Sequence, residues 1–289
     1  MTDTLDAFPY PLASTAWLAE RLSADDIRIV DASWRMPGAG RAIDDHGQRR
    51  IPGAVFFDLD EIADHTTDLP HMLPAPDVFA AAVGALGITA DDRVIIYDDA
   101  GIFSAARVWW TFRAMGHERV SVLDGGLPKW MKEGRPLDTG LAAPAPKTYA
   151  VQPARTLART AQDVRRMLGD KSGVVIDARP APRFKGEAKE PRPHLRSGRM
   201  PGAVNLPHTL LLRETGEMAS AEDLARRFKD LSVSPDAPVI ASCGSGVTAA
   251  VICLALERIG HPAYGLYDGS WTEWGADTND PALFPVTKG

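Results

Sequence analysis

A chain of 289 residues is long for one hydrophobic core and of ordinary size for two. Its net charge of -6, with no long Lys/Arg run, argues against a nucleic-acid partner. The 45% of hydrophobic residues include no run of membrane-spanning length, so no membrane partner is expected.

The first ten residues, Met1 to Tyr10, are acidic. They carry neither the apolar core of a signal peptide nor the Arg-rich character of a transit peptide. Helical patterns are predicted over Thr15 to Leu22, Pro76 to Leu86, Ala105 to Met115, Ala161 to Leu168, Ala221 to Leu231 and Val247 to Ile259. Between them lie short apolar, β-branched stretches bounded by Asp, Gly or Pro. These are Ile27 to Val30, Val94 to Tyr97, Val120 to Leu123, Val174 to Ile176 and Val239 to Ala241. Such stretches read as buried parallel strands. Strand-helix alternation predicts an α/β fold with a central, mostly parallel sheet flanked by helices.

The chain also repeats itself. Val30-Asp-Ala32 matches Ile176-Asp-Ala178, and Ile51-Pro-Gly-Ala-Val55 matches Met200-Pro-Gly-Ala-Val204. Val94-Ile-Ile-Tyr-Asp98 matches Val239-Ile-Ala-Ser-Cys243, and Met115-Gly-His117 matches Ile259-Gly-His261. Asp124-Gly-Gly126 with Trp130 matches Asp268-Gly-Ser270 with Trp274. The offset stays between 144 and 149 residues, too long for a solenoid and suited to a duplicated domain. The Pro- and Ala-rich stretch from Pro136 to Thr156 reads as an exposed linker. The predicted domains are residues 1–145 and 156–289.

The chain has two cysteines, Cys243 and Cys253, ten residues apart, which fits neither a metal motif nor a CxxC redox motif. The intervening helix would separate them by roughly 15 Å, too far for a disulfide. Two free thiols and no export signal predict a cytoplasmic protein. No ligand cluster suggests a metal, and no cofactor is expected. Cys253 lies mid-helix among Ile252, Leu254 and Ala255, where a buried structural role is expected. Cys243 sits at the carboxyl end of a strand, where ligands bind in parallel sheets. It could be a small buried hydrophobe in a Gly-rich turn. Alternatively, Gly244 and Gly246 let the backbone turn its N–H groups inward, and the following helix adds its positive end. That arrangement would stabilise an anionic sulfur.

The loop Cys243-Gly-Ser-Gly-Val-Thr-Ala249 resembles the active-site loop of 3-mercaptopyruvate sulfurtransferases of the rhodanese superfamily. The Pro-Gly-Ala-Val segments, Phe56-Phe-Asp-Leu-Asp60, His71-Met-Leu-Pro74 and the paired Asp-Gly turns extend the resemblance over nearly the whole chain. It implies two tandem rhodanese-like domains, the first inert because Asp98 stands where the second has Cys243. It implies a Cys243 persulfide cradled by Gly244, Ser245, Gly246, Val247 and Thr248, a 3-mercaptopyruvate donor, and a thiol acceptor such as thioredoxin.

The resemblance further implies substrate-binding roles for Arg183 and Arg192, which by spacing alone would read as part of a solvated charged loop. It implies a Ser245–His71–Asp60 proton relay, to which the first domain contributes His71 and Asp60. Taken alone, His71 would read as an exposed loop histidine. Arg50 and Arg199 stand where the family often has His. Thiosulfate-preferring relatives carry two cations after the cysteine. Gly244-Ser245 offers none, which favours a carboxylate donor, with thiosulfate sulfur transfer on the same fold as the alternative. A Cys-x5-Arg phosphatase would need arginine at Ala249. The paired Asp-Gly turns could supply a general acid, but their recurrence in both copies favours a turn-forming role.

Overall fold

The computed structural model describes residues 8–36, 38–152 and 156–289. Most of the Met1 to Tyr10 stretch, and the linker positions 153–155, lie outside the described residues. The chain divides into two compact units. The first comprises residues 1–62 and 74–155 together with the short piece Glu214–Met218. The second comprises 156–213 and 219–289 together with Ala63–Leu73.

In the first unit the elements run β1 (Leu12–Ala13), α1 (Thr15–Ala19), β2 (Ile27–Asp31), α2 (Ala42–Gln48), β3 (Val55–Phe56) and α3 (Pro76–Ala85). They continue with β4 (Arg93–Tyr97), α4 (Ser104–Ala114), β5 (Val120–Leu123) and α5 (Gly126–Lys132). The second unit repeats the pattern with β6 (Ala158–Arg159), α6 (Ala161–Asp170), β7 (Val174–Asp177), α7 (Ala181–Lys185) and β8 (Val204–Asn205). Then come α8 (Ala221–Asp230), β9 (Val239–Ser242), α9 (Ala249–Arg258), β10 (Tyr264–Tyr267) and α10 (Ser270–Trp274). The sheet orders are β1-β5-β4-β2-β3 and β6-β10-β9-β7-β8, the same arrangement twice. Every pairing is parallel. The predicted α/β duplication is therefore the observed architecture.

Both faces of each sheet are covered, as the unbroken apolar strands require. On one face of the first sheet, Ile27, Ile29, Ile95, Tyr97 and Leu123 pack with Leu18 and Trp130. In the second unit Val175, Ile240 and Tyr267 pack with Val164, Trp271 and Trp274. Trp130 and Trp274 are core residues in both copies, and each indole N–H donates to a carbonyl, of Pro136 and Pro285 respectively. Helix α9 is buried at every position from Ala249 to Leu256. A helix apolar all round must lie inside its unit.

Arg50 and Arg199 have matching structural duties. Arg50 bridges to Asp138, and Arg199 pairs with Thr287, so each ties down a later stretch of its own unit. The linker is less open than its composition predicts. Residues after Pro144 are mostly exposed, yet the Lys147 amide donates to the Gly84 carbonyl. The Tyr149 ring is buried against Phe79 and His117.

Candidate active site

The strand order of the second sheet reverses beside β7: β8 lies on one side of it and β9 on the other. Loops leaving neighbouring strands at such a point diverge and open a crevice at their carboxyl ends. Asp177 of β7 is in register with Ser242 of β9, and the Ala178 amide donates to the Ser242 carbonyl at 2.8 Å. The Arg179–Arg192 loop and the Cys243 loop therefore start level with one another.

Cys243 follows β9 directly, is 2% exposed and is a free thiol, as is Cys253. Its backbone is held from the Ser270 turn. The Cys243 amide donates to Ser270 Oγ at 3.2 Å, the Trp271 amide donates to the Cys243 carbonyl at 3.0 Å, and the Thr272 amide donates to the Gly244 carbonyl at 2.9 Å. Ser245 and Val247 are buried within the loop. Gly246 has φ +78°, a left-handed conformation that a side chain would strain. α9 starts at Ala249, two residues later than the helix predicted from Val247. Its ten residues direct their N-terminal end at the loop.

The first unit shows what such a loop holds. Asp98 follows β4 as Cys243 follows β9, and α4 starts at Ser104 as α9 starts at Ala249, so the two loops have equal length. Gly101 has φ +111°, matching Gly246. Asp98 is fully buried, and its carboxylate accepts the amides of Ala100 at 2.9 Å, Phe103 at 2.7 Å and Ala105 at 2.8 Å. Burial pushes its pKa up, against those three amides, which pull it down. Position by position, the corresponding amides in the second unit belong to Ser245, Thr248 and Ala250, the last of which donates to the Val247 carbonyl at 3.3 Å.

Arg183, on α7, reaches the Cys243 loop. A methyl group built on Gly244 would meet its Nη2 at 3.1 Å. Arg183 Nε donates to Glu190 at 3.0 Å, and its Nη2 forms an ion pair with the same oxygen. The other Glu190 oxygen accepts Arg179 Nη1 at 2.8 Å. Arg179 is buried, pairs with Asp177 at 2.7 Å, and lies over the Trp271 ring with its guanidinium carbon 4.0 Å from the centroid. Asp177, Arg179, Glu190 and Arg183 thus form a chain of alternating charge ending beside Gly244. Sequence reading missed Arg179 and Glu190. Both lie in or beside the charged stretch around Arg183, and a loop has no period that separates inward from outward charges.

Arg192 Nη2 donates to His71 Nε2 at 3.3 Å, so these two predicted residues are brought together within the second unit. His71 is buried and has φ +62°. It belongs to the piece Ala63–Leu73 that folds with this unit. The piece is fastened by the Leu73 amide, which donates to Asp268 Oδ2 at 2.7 Å. The first unit repeats this device, with the Met218 amide donating to Asp124 Oδ1 at 2.8 Å. The two Asp-Gly turns therefore do more than turn the chain. Asp60 belongs to the first unit, where Trp34 Nε1 donates to both of its carboxylate oxygens at 3.0 Å.

Among the described residues no group of three or more His, Cys, Asp or Glu is arranged to hold a metal ion. No helix among the described residues is long and apolar enough to cross a membrane. The assembled parts are a buried thiol in a loop of the same length as the one that holds the Asp98 carboxylate, beside a mostly buried arginine–carboxylate chain. A thiol placed there is positioned to act as a nucleophile towards a ligand entering the crevice.

The Rhodanese-like domain pattern matches residues 14–133 and 160–277. The chain is 44% identical to the 3-mercaptopyruvate sulfurtransferase of Escherichia coli K12, over 92% of this chain and 95% of that one. It is 41% identical to thiosulfate/3-mercaptopyruvate sulfurtransferase 1, mitochondrial, of Arabidopsis thaliana, over 94% of this chain and 77% of that one. The crystal structure of SseA from Escherichia coli, described as a 3-mercaptopyruvate sulfotransferase, superimposes with a TM-score of 0.81 at 41% identity, covering 90% of this chain and 98% of that one.

Proposed function

The chain belongs to the rhodanese family, and from that premise we propose that it takes sulfur from 3-mercaptopyruvate and carries it on Cys243 to a thiol acceptor or cyanide. The observation that carries this reading is the pair of equal loops. One buries a carboxylate on three backbone amides, and the other, of the same length and with a glycine of positive φ at the same place, holds a buried cysteine at the carboxylate's position.

In the proposed reaction the Cys243 thiolate attacks the donor's sulfur. An S–S bond forms, the C–S bond breaks, and its electron pair leaves on carbon as the enolate of pyruvate. A proton delivered to that carbon completes pyruvate. The persulfide lies in the cradle of Gly244, Ser245, Gly246, Val247 and Thr248, where oriented amides stabilise it without reorganisation. Arg183 and Arg192 hold the carboxylate and keto oxygens, a task suited to planar guanidinium forks. Ser245, His71 and Asp60 are assigned to proton transfer. The outer sulfur then passes to an acceptor thiol such as thioredoxin, regenerating the Cys243 thiolate. The two free cysteines support a reducing, cytoplasmic setting within the same proposal. We assign the sulfur-carrying step to the domain 156–289 and regard the domain 1–145 as inert in that step, because Asp98 has no sulfur atom, while His71 and Asp60 serve proton transfer.

Because one relative carries both donors in its name, the test runs both. Pyruvate release from mercaptopyruvate and thiocyanate formation from thiosulfate are measured with cyanide as acceptor. The expected result is a larger kcat/KM for mercaptopyruvate, and loss of both activities in Cys243→Ser. Mass spectrometry should show one added sulfur atom on the wild-type protein and none on the variant. Turnover retained in Cys243→Ser would sink the assignment.

A further inference from the structure

We infer that Glu190 sets donor specificity by cancelling the charge of Arg183, so that this cation, which borders the cysteine loop, favours a singly charged donor over a doubly charged one. The inference rests on the sulfur-transfer reading above and concerns the same site.

The geometry is closed on both sides. Glu190's side chain is 1% exposed, yet both of its oxygens are occupied by arginines. Arg179, the inner arginine, is itself 1% exposed and already pairs with Asp177 and the Gly198 carbonyl. Asp177 and Arg179 balance one another, so the negative charge of Glu190 is left to offset Arg183. Arg183's side chain is 23% exposed and its Nη2 borders Gly244. With Nε and Nη2 turned to Glu190, Arg183 keeps hydrogen-bonding capacity on Nη1 but arrives with its counter-charge attached. It can orient a carboxylate while contributing little net field.

Mercaptopyruvate with its thiol protonated carries one negative charge, and thiosulfate carries two. A net positive field acts on each in proportion to charge, so removing the carboxylate of Glu190 should help the dianion more. Gly244 and Ser245 add no cations that would mask the effect. Glu190 is therefore a specificity-determining residue that acts through Arg183 and is not itself a catalytic residue.

The test compares kcat/KM for mercaptopyruvate and thiosulfate in wild type, Glu190→Gln and Glu190→Asp. The ratio should shift towards thiosulfate by roughly tenfold or more in Glu190→Gln, mainly through a lower KM for thiosulfate. Glu190→Asp keeps the charge and should stay near the wild-type ratio. A purely structural role would lower both donors together and leave the ratio alone, which would overturn the inference. An equal shift in both variants would also overturn it. If the wild-type protein uses neither donor, the sulfur-transfer reading fails first, so the two failures are distinct. Should Glu190→Gln not fold, calorimetry on the otherwise intact Cys243→Ser protein still decides. Pyruvate should bind at least as tightly as sulfate, and clearly tighter sulfate binding would refute a charge-cancelled Arg183.

Discussion

His117 shows how a buried residue makes stability depend on pH. Its ring is 1% exposed, with Tyr149's hydroxyl 3.0 Å from Nδ1 and Asp92's carbonyl 3.0 Å from Nε2. The neutral ring satisfies both, accepting from Tyr149 at Nδ1 and donating to Asp92 from Nε2. Burial drives its pKa down from 6.5 to about 4, only partly relieved by the Asp92 carbonyl. A histidine with a depressed folded pKa binds a proton less readily folded than unfolded. Its stabilising contribution is complete above pH 6.5 and is lost as pH falls towards 4. The loss at the acid end is on the order of 3 kcal/mol. Urea unfolding at pH 7 and pH 4.5 should show His117→Asn less stable than wild type at pH 7 by about 1–2 kcal/mol. The gap should narrow or reverse at pH 4.5. Parallel pH dependence in the two proteins would show that the ring does not titrate as described.

At the scale of elements, the Asp-Gly turns act as clamps on chain segments that arrive from elsewhere in the sequence. Asp268 also sits two residues before Ser270, whose hydroxyl accepts the Cys243 amide. One turn thus fixes both the cysteine loop and the piece carrying His71. Asp268→Ala removes a charge-assisted hydrogen bond worth roughly 1.5–3 kcal/mol, a local loss. Amide exchange across residues 64–73 should speed up by about tenfold or more, with little change in global stability. Asp124→Ala should do the same around Met218 and leave Leu73 unaffected. Equal exchange at Leu73 in wild type and Asp268→Ala would remove the clamp.

The sequence carried the turns' recurrence but not their partners, because a hydrogen bond between residues 195 positions apart leaves no local pattern. The same limit explains the strands. β2, β4, β5, β7 and β9 were legible as apolar, β-branched runs. The two-residue strands β1, β3, β6 and β8 are too short to show a period. β10, Tyr264-Gly-Leu-Tyr267, has no β-branched residue and carries a glycine. Cys243 was legible because Asp98 stands at its place in the other copy. Glu190 was not, because its importance lies in which arginines it touches.

Across the whole chain, the duplication supplies a control that few enzymes carry. The loops after β4 and β9 have the same length, and each has a glycine of positive φ at its turn. The loop after the neighbouring strand differs more. In the second unit Asp177 anchors Arg179, Glu190 and Arg183. In the first unit the matching Asp31 accepts Ser33 Oγ at 2.5 Å and contacts His46 Nδ1 at 2.8 Å. Arg35 in that loop is paired with both Asp45 and Asp99. If sulfur transfer needed only an anion-holding loop with a thiol, then Asp98→Cys would create a second site. If it also needs the arginine–carboxylate chain, the change should create none. Asp98→Cys in a Cys243→Ser background should therefore fold, yet form no persulfide from mercaptopyruvate and release no pyruvate. One added sulfur atom on position 98, seen by mass spectrometry after incubation with the donor, would mean that the loop alone suffices. The inertness of the first unit would then rest on Asp98 and nothing else.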